Sequence, residues 1–349
     1  MSIRMRAGRL AGAAAVAAMM LSACTATVDS PQGAGAPADG GDVLNLVGYA
    51  VPKAGNNAVQ KLWAETDEGA GVSWVESYGA SGDQSRAVEA GLKADYVHFS
   101  LEGDVTRLVK AGLVDESWKD GPTGGIVTSS LVVIAVREGN PKNIQGWDDL
   151  IKDDVTIVTP NPGSSGAARW NILAAWAHAQ EKGGSEQAAI DFTTKLFNNI
   201  VALPGSGRDA TSAFLAGTGD VLLSYENETI LARQNGEKLE YIVPDVTLRI
   251  DNPGAVLKDA NPKAKAWLDF VLTQQAQAEF VKLGFRPVID GVEIGEVEGA
   301  NDPSNPFPTP GTLVTINDYF GGWDAANPKF FDEENGIITK IQVETGKSS

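Results

Sequence analysis

Short apolar runs alternate with segments of helical period from residue 43 to about residue 285. Val43-Leu44-Asn45-Leu46-Val47 is the first run, and others lie at 72–76, 96–99, 131–137, 156–159, 221–225 and 241–243. Between and after them, 57–65, 84–92, 105–111, 168–181, 185–197, 211–216 and 263–283 carry apolar residues at helical spacing. Strands alternating with helices predict an α/β fold with mostly parallel sheets. No self-similarity recurs at a solenoid period. The tail after Phe285 is rich in Gly, Pro and Asp and reads as a wrap over the surface.

The start of the chain follows a different pattern. Arg4, Arg6 and Arg9 precede an apolar run at 10–20, which is too short to span a bilayer stably. Leu21-Ser22-Ala23-Cys24 follows and resembles the bacterial lipobox, which implies that residues 1–23 are a lipoprotein signal peptide and that Cys24 is lipidated. The only Cys of the chain cannot form an internal disulfide, which agrees with that use. Residues 24–42 have few large apolar side chains and read as a flexible tether. The chain is therefore expected on the outer face of the cytoplasmic membrane, held by lipid. About 300 residues then remain, enough for two domains of ordinary size.

Charge narrows the partners. The full chain carries −17, and loss of residues 1–23 removes three arginines and no acid, leaving −20. Nucleic acid is excluded as a partner on that ground. An anion could still bind, but only through short-range donors, because the overall field repels it.

Three segments offer such donors, each a strand, a small-residue turn and a helix start. They are Val75-Glu76-Ser77-Tyr78-Gly79-Ala80-Ser81-Gly82, Val158-Thr159-Pro160-Asn161-Pro162-Gly163-Ser164-Ser165-Gly166-Ala167, and Ala202-Leu203-Pro204-Gly205-Ser206-Gly207-Arg208-Asp209. Small residues let an anion approach the backbone, and a first helical turn presents unpaired N–H groups with a favourable dipole. Any one of these turns alone reads as ordinary capping. Three at the carboxyl ends of strands mark where open α/β sheets bind ligands.

At these residues the chain resembles the periplasmic sulfate- and thiosulfate-binding proteins of ABC importers, from about residue 43 to about residue 323. The most specific match is Thr159-Pro160-Asn161-Pro162-Gly163-Ser164-Ser165-Gly166-Ala167-Ala168-Arg169-Trp170-Asn171, supported by Gly79-Ala80-Ser81-Gly82, Arg137-Glu138-Gly139-Asn140-Pro141-Lys142, Gly219-Asp220-Val221-Leu222-Leu223-Ser224-Tyr225-Glu226-Asn227-Glu228 and Phe320-Gly321-Gly322-Trp323. The resemblance implies a two-lobed type II binding protein, each lobe a mostly parallel sheet flanked by helices, with lobe 1 at 43–130 plus 245–345 and lobe 2 at 131–244. The crossovers are expected near 131–137 and 241–246. In the family a dehydrated sulfate is held by helix-start N–H groups, a Ser hydroxyl and a Trp indole, with no cationic side chain in contact. By that match Ser81 supplies a hydroxyl, Ser165, Gly166 and Ala167 form the second donor turn, and Gly207 gives a backbone donor. Tyr225 stands where the family commonly has the Trp, Ala167 replaces a Gly, and Asp83 replaces a Lys.

The function expected is capture of sulfate or thiosulfate by a monomeric lipoprotein and its delivery to membrane permease subunits, with no catalytic residue, metal or organic cofactor. Other tetrahedral oxyanions, phosphate or molybdate, form the alternative. Phosphate would need an acceptor for its proton, and Asp83 and Asp209 lie near helix starts, where first-turn acids also complement the dipole. A secreted serine hydrolase built on Ser81 or Ser165 would need a base. Only His98 and His178 exist, and no Gly-x-Ser-x-Gly elbow occurs. Asp148-Asp149 and Asp251-Asn252 read as solvated acidic turns. Trp147, Trp170, Trp176 and Trp267 read as packing anchors.

Overall fold

The computed structural model describes residues 42–347, so the expected signal peptide, Cys24 and all but the last residue of the expected tether lie outside the described residues. Ten strands are present: β1 Val43–Tyr49, β2 Ser73–Gly79, β3 Tyr96–His98, β4 Ile126–Arg137, β5 Ile157–Val158, β6 Ile200–Ala202, β7 Val221–Tyr225, β8 Leu239–Ile242, β9 Val246–Val256 and β10 Thr312–Val314. The helices are α1 Lys53–Trp63, α2 Ser81–Glu89, α3 Glu102–Lys110, α4 Gly166–Gly183, α5 Glu186–Asn198, α6 Gly207–Leu215, α7 Glu226–Gln234, α8 Lys263–Val271, α9 Gln274–Lys282, α10 Ile316–Phe320, α11 Trp323–Phe331 and α12 Ile337–Glu344.

The strands line up as β2-β1-β3-β9-β4-β7-β5-β6, with β10 on β9 and β8 on β4. β1 is parallel to β2 and β3, and β5 is parallel to β6 and β7. The two long strands join these parallel groups: β9 runs antiparallel to β3 and β4, and β4 antiparallel to β7. This is the α/β architecture that the strand–helix alternation predicts. Each of the six parallel strands feeds a helix at its carboxyl end, and because the two groups run in opposite directions, the starts of α1, α2 and α3 face those of α4, α6 and α7. α5 stands outside this set, entered directly from α4.

Burial explains the strand chemistry. β4 is covered on both faces from Val127 to Val136, matching its near-continuous Val/Ile/Ala sequence. α4 is buried on nearly every side, so its apolar residues surround the helix instead of forming one stripe. Trp147, Trp170, Trp176 and Trp267 are all buried in the main core, as expected of anchors.

Four sequence readings are corrected. Asp251 and Asn252 do not form a solvated turn but lie inside β9, and Asn252 is wholly buried. The following Pro253 lacks the N–H that an interior strand uses. It is accommodated opposite a register irregularity in β4 between Ile126 and Thr128. The helix at 263–283 is two helices, because Thr273 accepts from the Ala276 N–H and starts α9 afresh. α7 was missed, since Tyr225-Glu226-Asn227-Glu228 carries no small-residue turn. The tail is no mere wrap: Trp323, Phe330, Ile338 and Ile341 are buried in the main core. Trp323 meets the Trp170 ring edge-on and Phe330 meets Trp176, so the tail packs against α4.

Candidate functional site

Helix starts differ sharply in how they are capped. α5, α6, α9 and α10 each have a Ser or Thr side chain accepting from a first-turn N–H. α2 and α4 have none, although serines stand at both. α1 and α3 are likewise without a side-chain cap; at α2 the Gly82 N–H donates to the Ser164 carbonyl at 3.1 Å, and first-turn N–H groups without a partner are fixed donors of the kind an anion accepts from.

Ser81 opens α2 and is buried. Its hydroxyl donates to Asp104 Oδ2 at 2.6 Å and accepts from the Ser100 N–H at 2.9 Å. In this structure that hydroxyl, the donor expected from the sequence, is engaged by protein groups on both sides. Burial raises the Asp104 carboxyl above its ordinary range, against the lowering influence of the Ser81 bond and nearby Arg169. Ser165 precedes α4; its N–H donates to the Asn161 carbonyl at 2.8 Å, while its hydroxyl does not cap the helix and is available.

Gly166 and Gly207 are small for steric reasons. A Cβ on Gly166 would lie 2.6 Å from Ser100 Oγ and 2.7 Å from Ser100 Cβ. A Cβ on Gly207 would lie 3.2 Å from Ala167 Cβ and 3.3 Å from Val51 Cγ2. The starts of α4 and α6 thus converge with the ends of β1 and β3. Tyr225, fully buried, shares a 2.8 Å hydrogen bond with the Ser100 hydroxyl. Ser81, Gly166 and Tyr225 all adjoin Ser100, and Ala167 and Gly207 lie against each other beside them.

Ser100 is the hub that sequence reasoning missed. Its carbonyl accepts from Trp170 Nε1 at 3.0 Å and from Asn252 Nδ2 at 3.1 Å. Asn252 Oδ1 in turn accepts from the Tyr49 hydroxyl at 2.7 Å. Ser100 follows a strand directly, the same placement as the other donors, but no Gly marked it.

The acids near the site divide clearly. Asp83 pairs with Arg86 on the exposed face of α2. Asp209 belongs to the cap of α6, where Ser206 Oγ accepts from its N–H at 3.1 Å and donates to its carboxylate at 2.7 Å. Glu226 is buried and receives Arg286 through two bonds of 2.7 and 3.1 Å, and buried Glu228 receives Arg208 at 2.7 Å. Removing Arg286 would strand a buried carboxylate, so Arg286→Ala should lower stability by about 3–5 kcal/mol in a denaturant titration. A change within about 0.5 kcal/mol would show that Glu226 needs no partner.

His98 bonds Asn56 Oδ1 at 3.1 Å and Thr128 Oγ1 at 3.0 Å, and burial pushes its pKa down to about 3. His178 reaches Asp148 at 3.2 Å. Neither touches Ser81 or Ser165, so neither serves as a hydrolase base. Among the described residues no cluster of His, Cys, Asp or Glu could hold a metal, and no helix is long and apolar enough to cross a membrane.

The chain is similar to known proteins along most of its length. A family model described as bacterial extracellular solute-binding protein matches residues 46–286. The sulfate-binding protein of Synechococcus elongatus is 42% identical over 325 residues, covering 90% of this chain and 89% of that protein. The thiosulfate-binding protein of Pseudomonas aeruginosa is 35% identical over 243 residues, covering 66% and 73%. Among solved structures, the sulfate-binding protein SubI from Mycobacterium tuberculosis is 44% identical with a TM-score of 0.77, covering 83% of this chain and 100% of that one.

Proposed function

Because the chain belongs to the bacterial extracellular solute-binding protein family, we propose that it is the binding component of an ABC importer and that its ligand is sulfate or thiosulfate. The observation that carries this reading is the pair of uncapped helix starts, α2 and α4, facing each other across Ser100. Neutral fixed dipoles suit a fully ionised tetrahedral anion, which only accepts hydrogen bonds. The donors proposed are the N–H groups of Ser81, Gly166, Ala167 and Gly207 with the hydroxyls of Ser165 and Tyr225. The protein binds and releases its ligand without chemistry.

Two lobes close on the ion in this reading, 43–130 with the segment from 245, and 131–244, with the segment from 323 seated against α4. β4 and β9 are the crossovers. Supporting closure are hydrogen bonds between the two groups of strands and helices: the Gly82 N–H to the Ser164 carbonyl at 3.1 Å, Trp170 Nε1 to the Ser100 carbonyl at 3.0 Å, and Arg208 to the Val51 carbonyl at 3.3 Å. Lipidation at Cys24 would keep the carrier beside its permease, and the carrier acts as a monomer.

Titration calorimetry with sulfate, thiosulfate, phosphate and molybdate tests the proposal. Tight binding is expected for sulfate or thiosulfate, with phosphate negligible at neutral pH. Affinity for sulfate should be nearly flat from mildly acidic to neutral pH, and phosphate binding should stay negligible in Asp83→Asn, whose carboxylate already faces Arg86. The buried carboxyl closest to the donors is Asp104. Tight phosphate binding that disappears in Asp104→Asn or Asp83→Asn would replace sulfate by phosphate as the ligand.

A further inference from the structure

A cavity of about 210 Å³ adjoins the donor groups, and Gly82, Ser165 and Gly166 belong to its wall. Three guanidinium groups also line it, from Arg86 on α2, Arg107 on α3 and Arg169 on α4. The same three arginines border an outer space of about 450 Å³ beside Phe331. In a chain of net charge −17, three cations on three helices at one opening are a local reversal of sign.

Their geometry shows a prepared site. Arg169 is fixed by Nε donating to the Pro162 carbonyl at 3.0 Å, by Nη1 donating to Asn327 Oδ1 at 2.8 Å, and by stacking 4.9 Å from the Phe331 ring centre. It forms no direct ion pair among the described residues, and Asp104 and Glu333 act on its charge without contacting it. The Arg86 guanidinium lies over Gly82, where an added Cβ would come within 3.3 Å of it. Arg107 Nε is buried without a hydrogen-bond partner. Acids temper the field: Asp104 stands in the inner wall and Glu333 in the outer one, while Asp83 and Glu89 pair with Arg86 and Arg107 on their exposed sides.

We infer that this arginine-lined cavity is an encounter site, which draws a small dianion to the mouth of the binding site before the neutral donors take it. The inference rests on the oxyanion reading given above and adds a division of labour to it. The inner site selects by hydrogen-bond geometry, which acts only at contact. The outer site supplies the longer-ranged attraction that the acidic surface otherwise denies, and charge complementarity of this kind raises association rates by about 10- to 1,000-fold. Charges at a rim alter the association rate and its salt dependence far more than dissociation.

The test is stopped-flow tryptophan fluorescence with sodium sulfate, at ionic strengths set with sodium chloride. The double variant Arg86→Gln/Arg107→Gln should associate about tenfold more slowly at low ionic strength, with dissociation unchanged and the difference erased at high salt. The reciprocal variant Asp83→Asn/Glu89→Gln, which frees both guanidiniums from exposed acids, should associate faster than the parent. Equal association rates for parent and both variants overturn the encounter site while leaving the sulfate reading intact. Failure of the parent itself to bind sulfate or thiosulfate overturns both.

Discussion

Gly166→Pro is expected to fold and to lose sulfate binding. Gly166 is the first residue of α4, a position whose N–H has no helical acceptor and where Pro is favoured. Ser165 before it has φ −104° and ψ 121°, the extended conformation that a residue preceding Pro prefers. The helix should therefore survive. Two things fail at the site. One donor to a charged acceptor disappears, worth about 1.5–3 kcal/mol. The new ring also meets Ser100, and overpacking of this kind costs about 1–3 kcal/mol. Together they predict a loss of roughly a hundredfold or more in affinity. Gly166→Ala separates the two causes, because it keeps the N–H and meets the same wall; a loss of about tenfold is expected. Circular dichroism melts establish folding, and calorimetry reads affinity. A well-folded Gly166→Pro protein with parental affinity would remove α4 from the site.

The second large effect is expected at Tyr225. Its hydroxyl is fully buried beside Ser100, and burial pushes its pKa well up, so it remains a donor throughout the usable pH range. Tyr225→Phe removes that donor and strips the Ser100 hydroxyl of its partner. Loss of a hydrogen bond to a charged acceptor costs about 1.5–3 kcal/mol, so sulfate affinity should fall about ten- to a hundredfold. Tyr225→Trp restores one N–H donor and should recover part of the loss. Unchanged affinity in Tyr225→Phe would show that Tyr225 only packs against Tyr49, whose ring centre lies 6.4 Å away.

What could be read from the sequence follows physical rules. The turns before α2, α4 and α6 were legible because close backbone approach demands Gly, Ser and Ala, and those residues stand in runs. Ser100 performs a comparable task from the end of β3 without a Gly neighbour, so composition gave no sign of it. Asn252 was hidden by its surroundings: Asp251-Asn252-Pro253-Gly254 has the composition of a turn. Only tertiary pairing of β9 with β3 and β4, and bonds from Tyr49 and to Ser100, make it interior strand. The role of Glu226 was equally invisible, because Arg286 lies sixty residues away in sequence and meets it only through the fold. Capping was misjudged in the instructive direction. Ser206 is an ordinary cap, whereas Ser81 and Ser165 are not, and the three turns look alike in composition.

The uncapped starts of α2 and α4 carry one more meaning. A helix lacking its cap is incomplete, and here two such helices from opposite sides of Ser100 are incomplete toward the same point. One ion with oxygens directed to several sides can complete both at once, becoming a cap shared between them. Capture of the ion and alignment of the two halves are then one event, since neither helix is satisfied until both approach. An anion with too few oxygens, or with all of them on one side, could finish one helix but not its counterpart. On the proposed site, selectivity for a compact tetrahedral dianion would reside in the spacing of two helix ends, before any side chain makes its contribution.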